Sequence, residues 1–146
     1  RLWPDKPKMI RGALGRPHQF ESHQAAFEFY RIKRAFSGIA DKELMDYVLA
    51  AHAPSENGVD LRYSGAWEAC VYRSPPNLWK CFDRIHKPIH ILGGEHSYVI
   101  VPNVAERLKQ LTNVKFESIG AGHLMPMERP QETAAFVTER ISRCEI

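Results

Sequence analysis

The chain has 146 residues and a mass of 16.7 kDa, which is the size of one ordinary domain. Apolar residues make up 44% and charged residues 25%, which is ordinary globular usage and argues against disorder. A net charge of +3 is too balanced to indicate nucleic-acid binding, and no apolar run reaches the ~18 residues of a membrane span. The three cysteines, Cys70, Cys81 and Cys144, form no C-x-x-C pair, which is typical of free thiols in a reducing compartment.

The first residues carry neither a methionine nor the basic and apolar segments of a signal peptide. We therefore expect either a processed chain or a piece of a longer protein. Residues 1–20 hold three prolines and two glycines, a frequency that predicts no regular element there.

Residues 1–84 carry mainly helical patterns. Ser22 suits a helix N-cap, and apolar residues then recur every three or four positions until Gly38. No strand in this half is long enough to build a sheet. The predicted elements are helices over 22–38, 41–51, 64–74 and 77–85, and a short strand over 59–63.

The second half of the chain alternates between strand and helix patterns. A short apolar run, Pro88–Leu92, ends at two glycines and predicts a buried parallel strand, and Val114–Ile119 predicts another. A helix capped by Asn103 and a last helix from about Pro130 complete an order that is typical of α/β parallel sheets. Two parallel strands do not make a stable sheet domain, so we expect the chain to be incomplete as a fold.

The strongest local motif is the segment 118–130, with the sequence SIGAGHLMPMERP. A strand ends here, and His123 follows at its carboxyl end, which is where open α/β sheets keep their functional groups. We expect Gly120 and Gly122 to adopt positive φ, so that the imidazole projects from a tight loop.

This segment resembles the histidine loop of α/β-hydrolases, written here I-G-A-G-H-x-x-P-x-E-x-P. The segment 87–97, KPIHILGGEHS, resembles the penultimate core strand of the same superfamily. The resemblance implies a mainly helical cap over 1–84 and the C-terminal segment of the hydrolase core, its last two parallel strands with flanking helices, over 85–146. The cap and the Gly-Glu-His-Ser loop are also similar, loosely, to a fungal subgroup of peroxisomal lipases and acyl-CoA hydrolases.

By this resemblance, His123 is the general base and acid of a Ser-His-acid triad. No G-x-S-x-G motif occurs, so the nucleophilic serine is expected before Arg1, in an N-terminal half of the same hydrolase. The family commonly holds its Asp where this chain has Ser97. Either Glu95 substitutes for that Asp, or the acid follows the preceding core strand upstream of the cap, which is the alternative we favour.

Other residues have patterns that indicate a function less specifically. His86, His90 and His96 lack the spacing of metal ligands on one face, and we expect neither a metal nor a cofactor. The basic run Arg31–Arg34 is expected to be a solvated helix face, or else to contact an anionic group such as a phosphate-bearing coenzyme. Five aromatic residues are expected in the core of the cap rather than against substrate: Phe27, Phe36, Trp67, Tyr72 and Trp79.

The resemblance implies a serine hydrolase of an ester or thioester bond, acyl-CoA included, with an apolar substrate whose acyl pocket the cap shapes. Such an enzyme is expected to be intracellular, either cytoplasmic or peroxisomal. The alternative is a non-catalytic ligand-binding or interaction protein on a hydrolase scaffold, which the absence of Asp at Ser97 favours. The subunit number stays open, a homodimer included.

We predict that this polypeptide does not fold alone, since two core strands leave apolar faces that need neighbouring strands. Expressed by itself, it is expected to aggregate or to unfold without a cooperative transition, as followed by circular dichroism and size-exclusion chromatography. A soluble monomer with one sharp thermal transition would contradict this prediction.

Overall fold

The computed structural model describes residues 6–82 and 84–143 of the chain. Within them, Cys70 and Cys81 are exposed free thiols, whereas Cys144 lies outside the described residues. None of the helices in this part of the chain is long and apolar enough to cross a bilayer.

The chain divides into two compact units, which are described separately. The division falls near residue 77, whereas the sequence places the end of the cap at residue 84, and that boundary stays a prediction. The first unit comprises 1–37 and 41–77, and the second comprises 38–40 and 78–146.

Helices and short strands alternate in the first unit. The helix α1 (Lys6–Leu14) lies where no regular element is predicted. That prediction is wrong because Pro7 occupies the first turn, where its missing N–H costs nothing, and Gly15 comes only after the last turn. The remaining elements are β1 (Gln19–Phe20), α2 (His23–Arg31), α3 (Asp41–Ala51), β2 (His52–Ser55), β3 (Gly58–Leu61) and α4 (Gly65–Arg73).

The start of α2 is confirmed and its end is not. The Ser22 hydroxyl accepts the N–H of Ala25 at 3.1 Å, as an N-cap does. The helix ends at Arg31, and only a 3₁₀ turn, Arg34–Phe36, follows it. The Arg31 guanidinium donates to the Phe36 carbonyl oxygen and so holds the chain in this turn instead of a longer helix.

The three strands of the first unit form an antiparallel sheet in the order β1, β3, β2. The prediction that residues 1–84 build no sheet is therefore wrong. Ser55 pairs with Gly58 across a two-residue turn. Gly58 has a φ of 126°, and a Cβ there would lie 2.1 Å from the Phe20 carbonyl oxygen, so only glycine fits. The strands have two to four residues, too few alternations for a sequence pattern to detect.

The core of the first unit forms around α2 and α3. Ala26, Leu44 and Val48 are completely buried, and His52 is 1% exposed with its Nδ1 3.0 Å from the Val48 carbonyl oxygen. The prediction of a core position is wrong for Trp67, which is 61% exposed. The other aromatic residues predicted to lie in the core are half-buried: Phe27, Phe36, Tyr72 and, in the second unit, Trp79.

The second unit contains the two predicted parallel strands. Ile89 pairs with Val114 and Gly94 with Ile119, so the two strands run side by side over their full length. The Asn103 cap is wrong, because Val101 precedes the helix and Pro102 occupies its first position. The elements are α5 (Trp79–Phe82), β4 (Ile89–Gly94), α6 (Pro102–Lys109), β5 (Val114–Ile119), α7 (Met125–Glu128) and α8 (Pro130–Ser142).

Two of these helices differ from what the sequence patterns predict. The helix predicted over 77–85 is reduced to the four residues of α5. Helix α8 begins at Pro130 as predicted, but its apolar residues Val137 and Ile141 are 47% and 67% exposed. The apolar face of α8 is therefore formed but not covered by the described residues.

Candidate active site

The carboxyl ends of β4 and β5 bring two loops together. Gly94 and Ile119 are opposite each other at the end of the ladder. Beyond this pair, the Glu95 N–H donates to the Ile119 carbonyl and the His96 N–H donates to the Ala121 carbonyl, both at 3.0 Å. Because these bonds continue the pairing past the strands, the two loops have a fixed relative position.

Gly94 and Gly122 lie where a side chain would meet neighbouring atoms, and neither has positive φ. Gly58 is the only described residue with positive φ, so the prediction for Gly120 and Gly122 is wrong. A Cβ on Gly94 would lie 1.9 Å from the Gly122 carbonyl oxygen, and one on Gly122 would lie 2.6 Å from Oε1 of Glu128. The strand end and the loop therefore approach more closely than any side chain permits.

His123 follows Gly122 and lies at this junction. Its Nδ1 is 3.1 Å from the Ser97 hydroxyl oxygen, and its ring centroid is 5.0 Å from that of Tyr98. Burial lowers the pKa of His123 below its ordinary value, and the negative charge of Glu128 opposes this shift. The lowered pKa favours the neutral imidazole, which is the form a general base requires.

Ser97 is the hydrogen-bond partner of His123 and is only 9% exposed. Its oxygen accepts the N–H groups of Val99 and Ile100, both at 3.2 Å. These bonds occupy both lone pairs, so the hydroxyl has only its proton left to give to Nδ1. Neutral His123 then carries its own proton on Nε2.

Glu95, the sequence candidate for the triad acid within this chain, is exposed. The residue against Nδ1 is Ser97, two positions later. A hydroxyl orients the imidazole but has no negative charge with which to stabilise an imidazolium. The described part of the chain thus places an orienting group, and not a carboxylate, at Nδ1.

The remaining histidines form no metal site. Among the described residues, no three His, Cys, Asp or Glu side chains lie close enough together to hold a metal ion. His86 precedes β4, His90 lies within it and His96 follows it, so the length of the strand separates the first of these histidines from the last.

A concave region of about 920 Å³ lies elsewhere in the second unit, at the amino ends of the strands. Its lining is largely basic and includes Lys87, Lys115 and Arg140, the last of which forms an ion pair with Glu117. His123 lies at the opposite ends of the strands, so this region is not its site.

Glu128 is the residue of the site to which the sequence analysis gives no role. Its Oε2 accepts the Gly122 N–H at 2.6 Å. The signal that marks it is a single acidic residue five positions after the histidine and two positions before the proline that starts α8.

We predict that Gly94→Ala destabilises the intact protein by about 1–3 kcal/mol, since the new Cβ forces two backbones apart. Gly120→Ala is the matched control, because a Cβ at Gly120 meets nothing within 4 Å. It should change the free energy of unfolding by less than about 0.5 kcal/mol. Denaturant unfolding measures both, and equal effects would contradict the packing argument.

Comparisons with known proteins agree with this geometry at the level of the fold. No family model matches the chain, and no curated protein matches it. Solved structures do match the chain. An alpha/beta hydrolase from Novosphingobium aromaticivorans is 20% identical with a TM-score of 0.77, and the match covers 97% of this chain and 53% of that one.

Two further neighbours carry more specific names. A peroxisomal alpha-beta-hydrolase from Saccharomyces cerevisiae is 18% identical, with a TM-score of 0.73, over 97% of this chain and 41% of that one. The thioesterase domain from the curacin biosynthetic pathway is 14% identical, with a TM-score of 0.68, over 92% and 51%.

This chain spans about half the length of the solved structures that it matches. What it covers is a mainly helical cap followed by two parallel strands with flanking helices. The chain therefore has the α/β-hydrolase fold, of which it forms the cap and the C-terminal part of the core.

Proposed function

We propose that this chain supplies the catalytic histidine and the cap of a serine hydrolase that cleaves an ester or thioester bond. One observation carries the proposal: His123 stands at the joined carboxyl ends of two parallel strands, with its Nδ1 within hydrogen-bond distance of Ser97. The hydrolases with which the chain shares its fold, a thioesterase among them, support the same reaction class.

In the proposed reaction, a serine from the first half of the hydrolase attacks the substrate carbonyl. Nε2 of His123 takes the serine proton, and backbone N–H groups stabilise the oxyanion. Collapse of the tetrahedral intermediate breaks the bond to the alcohol or thiol, which receives that proton from His123. Water then repeats the sequence on the acyl-enzyme and releases the acid.

The reaction requires Nε2 to be unprotonated. Because Ser97 gives its proton to Nδ1, the imidazole proton must move from Nε2 to Nδ1 before His123 acts as a base. A carboxylate that accepts the Nδ1 proton produces this change. We propose that this carboxylate belongs to the first half of the hydrolase, where it follows the core strand that lies upstream of the cap. Glu95 is the alternative.

The cap offers an apolar surface for the substrate. On α4, Trp67 and Val71 are 61% and 47% exposed, and the Trp67 ring packs edge-on at 5.7 Å against the 42% exposed Tyr63. Burial of these side chains against an acyl chain is favourable by about 25 cal/mol per Å². The surface thus supports an apolar acyl group. We include acyl-CoA among the proposed substrates, and the peroxisomal yeast neighbour supports a peroxisomal location.

A second function, ligand binding without catalysis, is favoured by one observation. An uncharged Ser97 stands where the fold commonly has its acid, and scaffolds of this kind retain a pocket after losing their chemistry. A fluorophosphonate probe separates the two functions, because it labels only an activated serine.

We predict that His123→Ala in the intact protein lowers turnover of an acyl thioester by about three orders of magnitude or more. Its melting temperature should stay nearly unchanged, since the imidazole is exposed and does not fill a core. Near-normal turnover or undiminished fluorophosphonate labelling would remove His123 from the triad.

We predict that Glu95→Gln changes turnover less than about tenfold, because an exposed charge acts on His123 only through a screened field. Loss of a triad carboxylate costs about 10⁴ in turnover instead. The measurement is steady-state turnover of the intact protein, with thermal unfolding as the control. A loss beyond a thousandfold with the fold intact would make Glu95 the acid.

A further inference from the structure

Glu128 closes the loop that carries His123. It is the last residue of α7, and its own N–H donates to the Leu124 carbonyl at 3.1 Å. Its side chain turns back so that Oε2 accepts the Gly122 N–H at 2.6 Å. The bond therefore joins the two ends of the segment 122–128, and His123 lies inside that segment.

Gly122, the residue before His123, is held on both sides by this arrangement. Its carbonyl side approaches Gly94 so closely that a Cβ there would be 1.9 Å from the Gly122 oxygen. On the other side, the Gly122 N–H is fixed by Glu128. Since these contacts fix the backbone next to His123, they also fix the position from which its side chain extends, and the Ser97 contact then orients the ring.

The carboxylate acts on His123 in a second way, through its charge. Glu128 is half-buried, so its field is screened less than that of a surface carboxylate. Its negative charge raises the pKa of His123 against the lowering by burial. The titratable groups facing the imidazole are Glu128 and the Tyr98 phenol, and Ser97 is its uncharged polar neighbour.

We propose that Glu128 is a positioning residue for His123, which it orients through the Gly122 amide and whose imidazolium it stabilises through its negative charge. The catalytic consequence rests on the proposed function, whereas the effect on the titration of His123 does not. Two variants separate the two contributions: Glu128→Gln keeps an oxygen that accepts the amide proton and loses the charge, and Glu128→Ala loses both.

The test uses the intact protein, with acyl-thioester turnover as a function of pH and an NMR titration of the His123 ring. Glu128→Gln should lower the plateau kcat by less than about tenfold, through the lost charge alone, while the pKa of His123 and the acid limb of the profile move to lower pH. Glu128→Ala should also lower the plateau kcat about 10- to 100-fold with little change in KM, since a displaced base misses the reacting atoms.

Glu132→Gln is the matched control. Glu132 lies in the first turn of α8 with a side chain that is 57% exposed and ion-paired to Arg129. Its replacement removes the same charge four residues away and should move neither the plateau nor the limb. Equal shifts for Glu128→Gln and Glu132→Gln would overturn the specific role of Glu128.

A double-mutant cycle tests the geometry independently. Gly122→Ala places a Cβ 2.6 Å from Oε1 of Glu128 and should reduce kcat by itself. In the Glu128→Ala background the clash is gone, so the same change should cost less than about twofold. Additive losses would overturn the direct contact between loop and carboxylate, and thermal unfolding of each variant checks the fold.

The failure of this inference is distinguishable from that of the proposed function. If His123→Ala is inactive while Glu128→Ala keeps both the wild-type plateau and the wild-type titration of His123, the role of Glu128 is wrong and the hydrolase stands. If His123→Ala keeps its activity, the hydrolase proposal fails, and the NMR titration still decides whether Glu128 acts on the imidazole.

Discussion

The close approach of the strand end to the histidine loop is the contact on which the geometry of the site depends. Gly94 and the Gly122 carbonyl lie closer than any side chain on the strand would permit. The contact follows from parallel pairing, since the in-register ladder brings both carboxyl ends to the same edge. The position of His123 follows from this backbone packing, which requires a glycine at position 94.

The polar groups around His123 form a nearly complete set of donors and acceptors. The Ser97 hydroxyl accepts two backbone N–H groups and donates its proton to the imidazole. The Glu128 carboxylate accepts the N–H of Gly122, the residue before His123. Such satisfied groups lose nothing by partial burial. In the proposed reaction, Nε2 is the nitrogen that meets the reacting serine, once the imidazole proton has moved to Nδ1.

Sequence patterns predicted the core strands and the last helix, because β4, β5 and α8 combine a clear periodicity with clear boundaries. They failed for α1, because Pro7 lies in its first turn and Gly15 follows its last turn, where these residues do not prevent a helix. They also failed for the small cap sheet. The motif of its loop predicts the role of His123, which stays a prediction. The contact of Ser97 with His123 could not be predicted, since no spacing along the chain shows which atoms meet across 26 residues. Glu128 is near His123 in the sequence, but its bond to the Gly122 N–H depends on a side-chain direction that the sequence does not give.

The small cap sheet also has a consequence for how the chain folds. β2 and β3 are joined by a tight turn, and hairpins of this kind form within about 1–10 μs. β1 pairs Gln19 with Asp60, so its addition closes a loop of about 40 residues, which carries a large entropic cost. The helices α2 and α3 lie inside that loop. The hairpin is therefore expected to form early, and the pairing of β1 to complete the unit late, once those helices have shortened the distance between the loop ends.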